Sequence, residues 1–258
     1  MDVVGGRYRR EELIGAGGMG RVWRARDELL GRTVAVKEVT GGTMLREARA
    51  AARLRHPGVV KVYDVFDSWI VMEFVDGVSL QQALPLPVEE VARIGLSVVG
   101  ALRAAHQAGV LHRDVKPDNV LLARDGRVVL GDFGLASIRC EGGPDPRLGS
   151  PHYIAPERLA GRDSGVPADL WSLGATLYAA AEGRPPFARD DTAASLWAVV
   201  SAPPDPPVQA GPLSSLLLDL LVKEPSWRPS AGEVEYRLKT VLAPPRFCGR
   251  ARVAASRC

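Results

Sequence analysis

His112-Arg113-Asp114-Val115-Lys116-Pro117-Asp118-Asn119, with Asp132-Phe133-Gly134 following, places an amide and a carboxylate on either side of a short apolar run. That run, VLLA then RVVLGD, reads as two strands paired across the turn Arg124-Asp125-Gly126. Asn119 and Asp132 then flank one hairpin and offer hard oxygen ligands suited to magnesium. Asp114 can accept the proton of a substrate hydroxyl. A solvated polar loop is the plainer account, and it leaves two oxygen ligands around one hairpin unexplained.

Toward the amino terminus, 8–75 carries short Val- and Ile-rich runs, RVWRA, TVAVKEV, VVKVYDVF and WIVMEFV, that read as strands. Phe66-Asp67-Ser68-Trp69 leaves room only for a tight hairpin. One helix, MLREARAAARL at 44–54, interrupts the strands and stops at Arg55-His56-Pro57-Gly58. After Gly77 the pattern becomes helical, first over 88–108 between Pro87 and Gly109. Beyond Ala155 it stays helical, broken by proline clusters such as PPDPP at 203–207, and a linker between lobes falls near 74–77.

Two further motifs bear on phosphate chemistry. Gly15-Ala16-Gly17-Gly18-Met19-Gly20-Arg21-Val22 is a GxGxxGxV pattern whose backbone amides could close over anionic oxygens. Its competing account is a tight hairpin turn, and the strands on both sides argue against a dinucleotide-binding turn that opens a helix. Val34-Ala35-Val36-Lys37 closes an alternating strand with an ammonium, for which Glu47 is the candidate partner. An exposed edge-strand lysine is the alternative.

Composition sets the limits. The 258 residues are 46% apolar and 24% charged, an ordinary globular balance. A net charge of +3, spread along the chain, gives no footprint for nucleic acid. Cys140, Cys248 and Cys258 form no metal spacing, and their odd number argues against a disulfide framework. The amino terminus lacks a signal peptide's apolar core, and the uncharged apolar stretch 170–181 is too short to cross a bilayer. The chain therefore reads as soluble and cytoplasmic, with no membrane span. Basic residues comprise 28 arginines and only five lysines, so a lysine kept against that bias suggests a place for a compact ammonium; GC-rich coding is the plainer account, and it explains the rarity but not the positions.

The ordered set GAGGMGRV, VAVK, HRDVKPDN, DFG and APE resembles eukaryotic-type protein kinases, specifically the bacterial, actinobacterial-like Ser/Thr kinases, over about 8–242. The resemblance implies an α+β two-lobe fold. A small antiparallel-sheet lobe with one helix, 1–76, precedes a larger, mainly helical catalytic and substrate-docking lobe, 77–243, and a disordered basic tail, 244–258. It implies transfer of the γ-phosphoryl of ATP to a Ser or Thr hydroxyl of a protein substrate, with Mg2+, and is compatible with a homodimer. A pseudokinase acting as a nucleotide-binding scaffold is the alternative. A small-molecule phosphotransferase fits less well, because GSPHYIAPE at 149–157 resembles a peptide-docking surface.

The resemblance also assigns roles. Lys37 holds the α and β phosphates and pairs with Glu47; Asn119 and Asp132 bind magnesium; Asp114 orients the substrate hydroxyl beside Lys116. Gly15, Gly17 and Gly20 cover the phosphates. Met72 is the gatekeeper, the carbonyl of Glu73 and amide of Val75 meet the adenine edge, and Val22, Ala35 and Leu121 sandwich the ring. Glu157 and Arg228 form a buried structural pair, and Asp169 holds the catalytic loop.

Two departures stand out. Only ten residues lead from Lys37 to Glu47, fewer than in the family, which implies a reduced small lobe. Between Ser137 and Ser150, in a segment that includes CEGGPDPRLG, no hydroxyl is present. The expectation is that the family's loop phosphorylation switch is absent, with Glu141 or Asp145 pairing with the structural arginine, Arg113. Solvated acids are the competing account.

Overall fold

A computed structural model describes residues 2–17, 20–39, 48–133, 151–162 and 164–243. Glu47, Glu141, Asp145, Ser150 and the tail after 243 lie outside the described residues.

The amino-terminal part is a six-stranded antiparallel sheet made of β1 (Val3–Val4), β2 (Tyr8–Gly17), β3 (Gly20–Asp27), β4 (Arg32–Glu38), β5 (Val62–Phe66) and β6 (Trp69–Glu73), in the order β1-β2-β3-β4-β6-β5. Alternation on β4 sorts its side chains between the two faces. Val34 and Val36 join Val4, Tyr8, Ala25 and Val71 in one apolar cluster, which leaves Ala35 and Lys37 for the opposite face. On that other side, Val39, Ala48 and Ile70 cluster with Val62, Val65 and Met72. Phe66 pairs with Trp69 across a two-residue turn in which Asp67 has φ +45°.

The described part of the small-lobe helix is helical at 48–51 and then tightens. Arg53 donates to Ala50 O and Leu54 to Ala51 O, so the helix ends before Leu54, short of the expected boundary. The sequence also missed the elements between Gly77 and the helix expected from 88. Gly77 opens a strand, β7 (Gly77–Ser79), which pairs with β8 (Val120–Ala123), itself paired with β9 (Val128–Leu130). Only then does the short α1 (Leu80–Ala83) begin. Three residues were too few to show a period.

The helical part is built on α2 (Val88–Gln107) and α4 (Val166–Glu182), with α3 (Pro156–Leu159), α5 (Thr192–Ser201), α6 (Ser214–Leu220) and α7 (Ala231–Leu242) around them. On α2, Val91, Ile94, Val98, Leu102 and Ala105 recur at helical spacing and are buried. Glu89 and Glu90 complement its amino-terminal dipole, and Gly109, at φ +74°, ends it. Every residue of α4 from Ala168 to Ala181 is buried, the signature of a core helix rather than a surface one. Trp171 stacks on Phe187 at 5.4 Å. The Lys223 ammonium lies 3.9 Å from the Phe187 centroid and donates to Val199 O and Ala198 O at the end of α5. A compact cation with three donors suits that helix terminus.

Backbone bonds sew the two parts together, Leu130 N to Gly58 O at 2.8 Å and Val60 N to Leu130 O at 3.0 Å. Arg127, beside β9, pairs with Glu73 at the end of β6 at 2.8 Å. Among the described residues, no helix is long and apolar enough to cross a membrane.

Candidate active site

Lys37 is 2% exposed, and its Nζ lies 2.8 Å from Asp132 Oδ2. Burial pushes the Asp132 carboxyl up, but the charge and hydrogen bond of Lys37 outweigh it, so the group sits below its ordinary value. Its backbone is in the left-handed region, φ +56°, a strain of about 1–3 kcal/mol that the surroundings must sustain.

Asn119 and Asp132 are brought together as the hairpin reading expects, and the bond that does it is Gly131 N to Asn119 O at 2.9 Å. The Asn119 amide nitrogen donates to Asp114 O at 2.7 Å and to Asp114 Oδ2 at 2.9 Å. That leaves Asn119 Oδ1 as the amide's ligand atom. Lys116 Nζ donates to the same Asp114 Oδ2 at 2.8 Å. Asp114 thus gathers an amide and an ammonium, while Asp132, whose neighbour Gly131 is bonded to Asn119, holds a second ammonium. Among the described residues, no group of three or more His, Cys, Asp or Glu side chains could hold a metal. The Asn119 and Asp132 oxygens do fit a cation that takes its remaining ligands from water and phosphate, as magnesium does.

The glycine-rich segment is the β2–β3 hairpin, with Gly15 opposite Val22 and Gly17 opposite Gly20. Its glycines differ in kind. Gly20 has φ +123°, and a Cβ there would fall 1.9 Å from the Glu38 carbonyl oxygen, so the backbone itself requires glycine. A Cβ on Gly17 would meet nothing within 4 Å, and one on Gly15 only Val22 Cβ at 3.8 Å. Both positions leave room above the backbone.

Val22 is in register with Lys37, and Ala35 with Met72. Met72 lines a small apolar cavity with Ile70, Val60, Ala51, Asp132 and Phe133. The backbone N–H of Glu73 donates to Lys61 O at 2.8 Å, and Val75, half-buried, follows in the connection to β7. Leu121, half-buried, stands on β8 two residues after Asn119.

The loop that carries Asp114 is held from below. Asp169 on α4 accepts from His112 N at 2.9 Å and Arg113 N at 2.8 Å, and His106 Nε2 lies 2.8 Å from its Oδ2. Burial pushes the Asp169 carboxyl up, while the His106 bond, the His112 ring and these amides bring it below its ordinary value. Glu157 and Arg228 meet as a buried bidentate pair at 2.7 and 2.8 Å, and Arg228 also donates to Val222, Pro167 and Lys223 carbonyls.

Three residues to which sequence reasoning gave no role belong to the site. His106 carries the third bond to Asp169. His112, fully buried, holds Gly131 O with Nε2 at 2.7 Å, accepts from Asp114 N through Nδ1 at 3.1 Å, and packs on Phe133 at 4.4 Å. Burial lowers its pKa, so the ring is neutral with its proton on Nε2. Arg158 donates to the carbonyl of Arg113. The signal for His112 was its place inside the quoted motif; His106 and Arg158 had none.

The protein kinase domain family matches residues 8–237. The probable serine/threonine-protein kinase SCO3848 of Streptomyces coelicolor is 34% identical over 271 residues, covering 93% of this chain and 40% of that protein. Serine/threonine-protein kinase PknA of Mycobacterium tuberculosis is 36% identical over 257 residues, covering 89% of this chain and 59% of that protein. Serine/threonine-protein kinase PknB of Mycolicibacterium smegmatis is 34% identical over 253 residues, covering 86% and 40%. The chain spans 40% to 59% of the length of these relatives. A match running from β2 into α7, over a sheet lobe joined to a helical lobe, means that this chain belongs to the protein kinase domain family.

Proposed function

We propose that this chain transfers the γ-phosphoryl of ATP to a serine or threonine hydroxyl of a protein, with Mg2+ as the metal. The observation that carries the reading is a pair of bonded sets joined across one hairpin: Lys37 on Asp132, and Lys116 and Asn119 on Asp114, with Asn119 O accepting from Gly131 N. The relatives' names support Ser/Thr specificity.

In this reading Lys37 leaves Asp132 for the α and β phosphates, and Glu47 takes its other side. Asn119 and Asp132 would hold the metal, which would supply positive charge to the phosphate oxygens. Asp114 receives the substrate hydroxyl and accepts its proton, while Lys116, already on Asp114 Oδ2, stabilises charge on the transferred group. Gly15 and Gly17 close over the phosphates, and Gly20 shapes the hairpin that does so. Val22, Ala35 and Leu121 wall the adenine, Met72 gates the cavity behind it, and the Glu73 carbonyl and Val75 amide read its edge. The lobes divide at 76/77, with β7 belonging to the larger one.

The test is transfer of radiolabelled γ-phosphate to a generic basic protein, compared with Asp114→Asn. Expected are transfer by the unmutated chain and its loss in the variant, with ATP-dependent thermal stabilisation kept by both. Stabilisation by ATP without transfer by the unmutated chain overturns the reading in favour of a nucleotide-binding scaffold.

A further inference from the structure

The peptide joining Arg113 to Asp114 is gripped at both ends. Its N–H donates to His112 Nδ1 at 3.1 Å, and its carbonyl oxygen accepts from Arg158 Nη1. These bonds act on a strained position, since Arg113 has φ +67°. A residue with a side chain holds the left-handed region only where its surroundings over-determine it. Asp169 fixes the amide on the other side of Arg113. His112 and Asp169 thus restrain N–H groups, and Arg158 restrains the carbonyl of the peptide that leads directly into Asp114.

Arg158 is itself firmly mounted. It lies on α3, next to Glu157, whose carboxylate is locked by Arg228, and its own N–H donates to Ala155 O at 3.0 Å. Burial lowers its pKa while the Asp169, Asp114 and Glu157 carboxylates oppose that shift. Guanidinium keeps its proton in such a place, so the bond to the carbonyl is charge-assisted.

We propose that Arg158 is a positioning residue for phosphoryl transfer: by holding the Arg113 carbonyl it fixes the peptide plane before Asp114, and so the direction in which that carboxylate is presented. The docking segment that follows 134–150 is thereby mechanically tied to the catalytic loop. The tie uses a side chain encoded in the sequence, in a protein with no hydroxyl between Ser137 and Ser150. A lost carbonyl restraint tilts Asp114 without touching the nucleotide's own contacts, so it acts on turnover rather than on ATP binding.

This inference rests on the kinase reading, and its test separates the two. Arg158→Gln and Arg158→Lys are compared with the unmutated chain for kcat, KM for ATP, unfolding midpoint, and amide exchange of the segment 112–119. For Arg158→Gln the expected results are a kcat lower by roughly 10- to 100-fold, a KM for ATP within about twofold, and faster exchange in 112–119. Arg158→Lys, which keeps a charged donor, is expected to recover part of both. Unchanged kcat or unchanged loop exchange in Arg158→Gln overturns the proposal. So does a parallel loss of kcat, ATP affinity and thermal stability that lysine does not relieve, because that is the pattern of a merely structural residue. If the unmutated chain transfers no phosphate, the kinase reading fails, and loop exchange alone still decides whether Arg158 orders the loop.

Discussion

Lys37 and Asp132 face each other at 2.8 Å, one from a strand of the sheet lobe, the other from the end of a hairpin that belongs to the helical lobe. The ammonium is nearly inaccessible, so each charge depends on the other. Lys37→Met is expected to lower phosphoryl transfer by roughly 10²- to 10³-fold, the scale for loss of one preorganised cationic donor. It is also expected to raise the Asp132 pKa, because burial then loses its two largest opponents, the charge and the hydrogen bond of Lys37. Steady-state kinetics and a carboxyl titration by NMR check the two effects separately.

Gly20 and Gly17 are expected to behave oppositely. Gly20→Ala must displace the Glu38 carbonyl and adopt a positive φ, and should cost about 1–3 kcal/mol of stability. Gly17→Ala adds a methyl group to open space, so its unfolding midpoint stays near that of the parent while KM for ATP rises. Urea unfolding beside ATP kinetics for both variants gives the comparison.

The Glu157–Arg228 pair predicts an asymmetry. Glu157→Gln weakens one bidentate contact and leaves a buried cation, a loss on the order of 3–5 kcal/mol. Arg228→Met also removes donors from the Val222, Pro167 and Lys223 carbonyls, so it is expected to destabilise more than Glu157→Gln. Chemical denaturation of the two variants tests that order.

Stability is expected to fall as pH drops below 6.5, because the unfolded chain protonates His112 while burial keeps the folded ring neutral. Burial lowers His152 in the same sense. The lowered carboxylates Asp132, Asp169 and Glu235 stay ionised in both states until pH approaches 4.5 and below. Between 6.5 and 4.5 the slope therefore belongs to histidine, and His112→Asn should make it shallower in unfolding curves, with the remainder from His152.

Lys223 predicts the opposite end of the scale. Burial, and secondarily Arg228, lower it to about 8 from 10.5. Between those values the unfolded chain holds a proton that the folded protein has released, so stability rises with pH across that interval. Lys223→Met should abolish the rise, and unfolding free energies measured from pH 8 to 10.5 check it.

Much of this was legible in local pattern. The alternation of TVAVKEV located β4, and the helical spacing of 88–108 located α2 to within a residue. The loop carrying Asp114, Lys116 and Asn119 declared itself because its chemistry is packed into eight consecutive residues. Other features were silent. Gly77–Ser79 becomes a strand only because β8 comes to lie beside it, and three residues carry no period of their own. Lys37 resting on Asp132, Arg158 on the Arg113 carbonyl and His106 on Asp169 are pairings between distant segments, and composition or spacing holds no trace of them. The lysines divide: Lys223 sits where a compact ammonium can cap α5 and face an aromatic ring at once, whereas Lys239 is an exposed partner of Glu235.

Asp169 has a consequence for the order in which the protein takes shape. The amides it anchors in the catalytic loop lie 56 and 57 residues earlier in the chain. Closing a loop of that length carries an entropic cost that local pairing does not, so the contact forms late. A nascent chain that has emerged through Asp132 has the Gly131 carbonyl to hold the His112 ring, but the bonds to the His112 and Arg113 amides wait until α4 is made and docked. Full anchoring of the loop that carries Asp114 thereby depends on completion of the helical core.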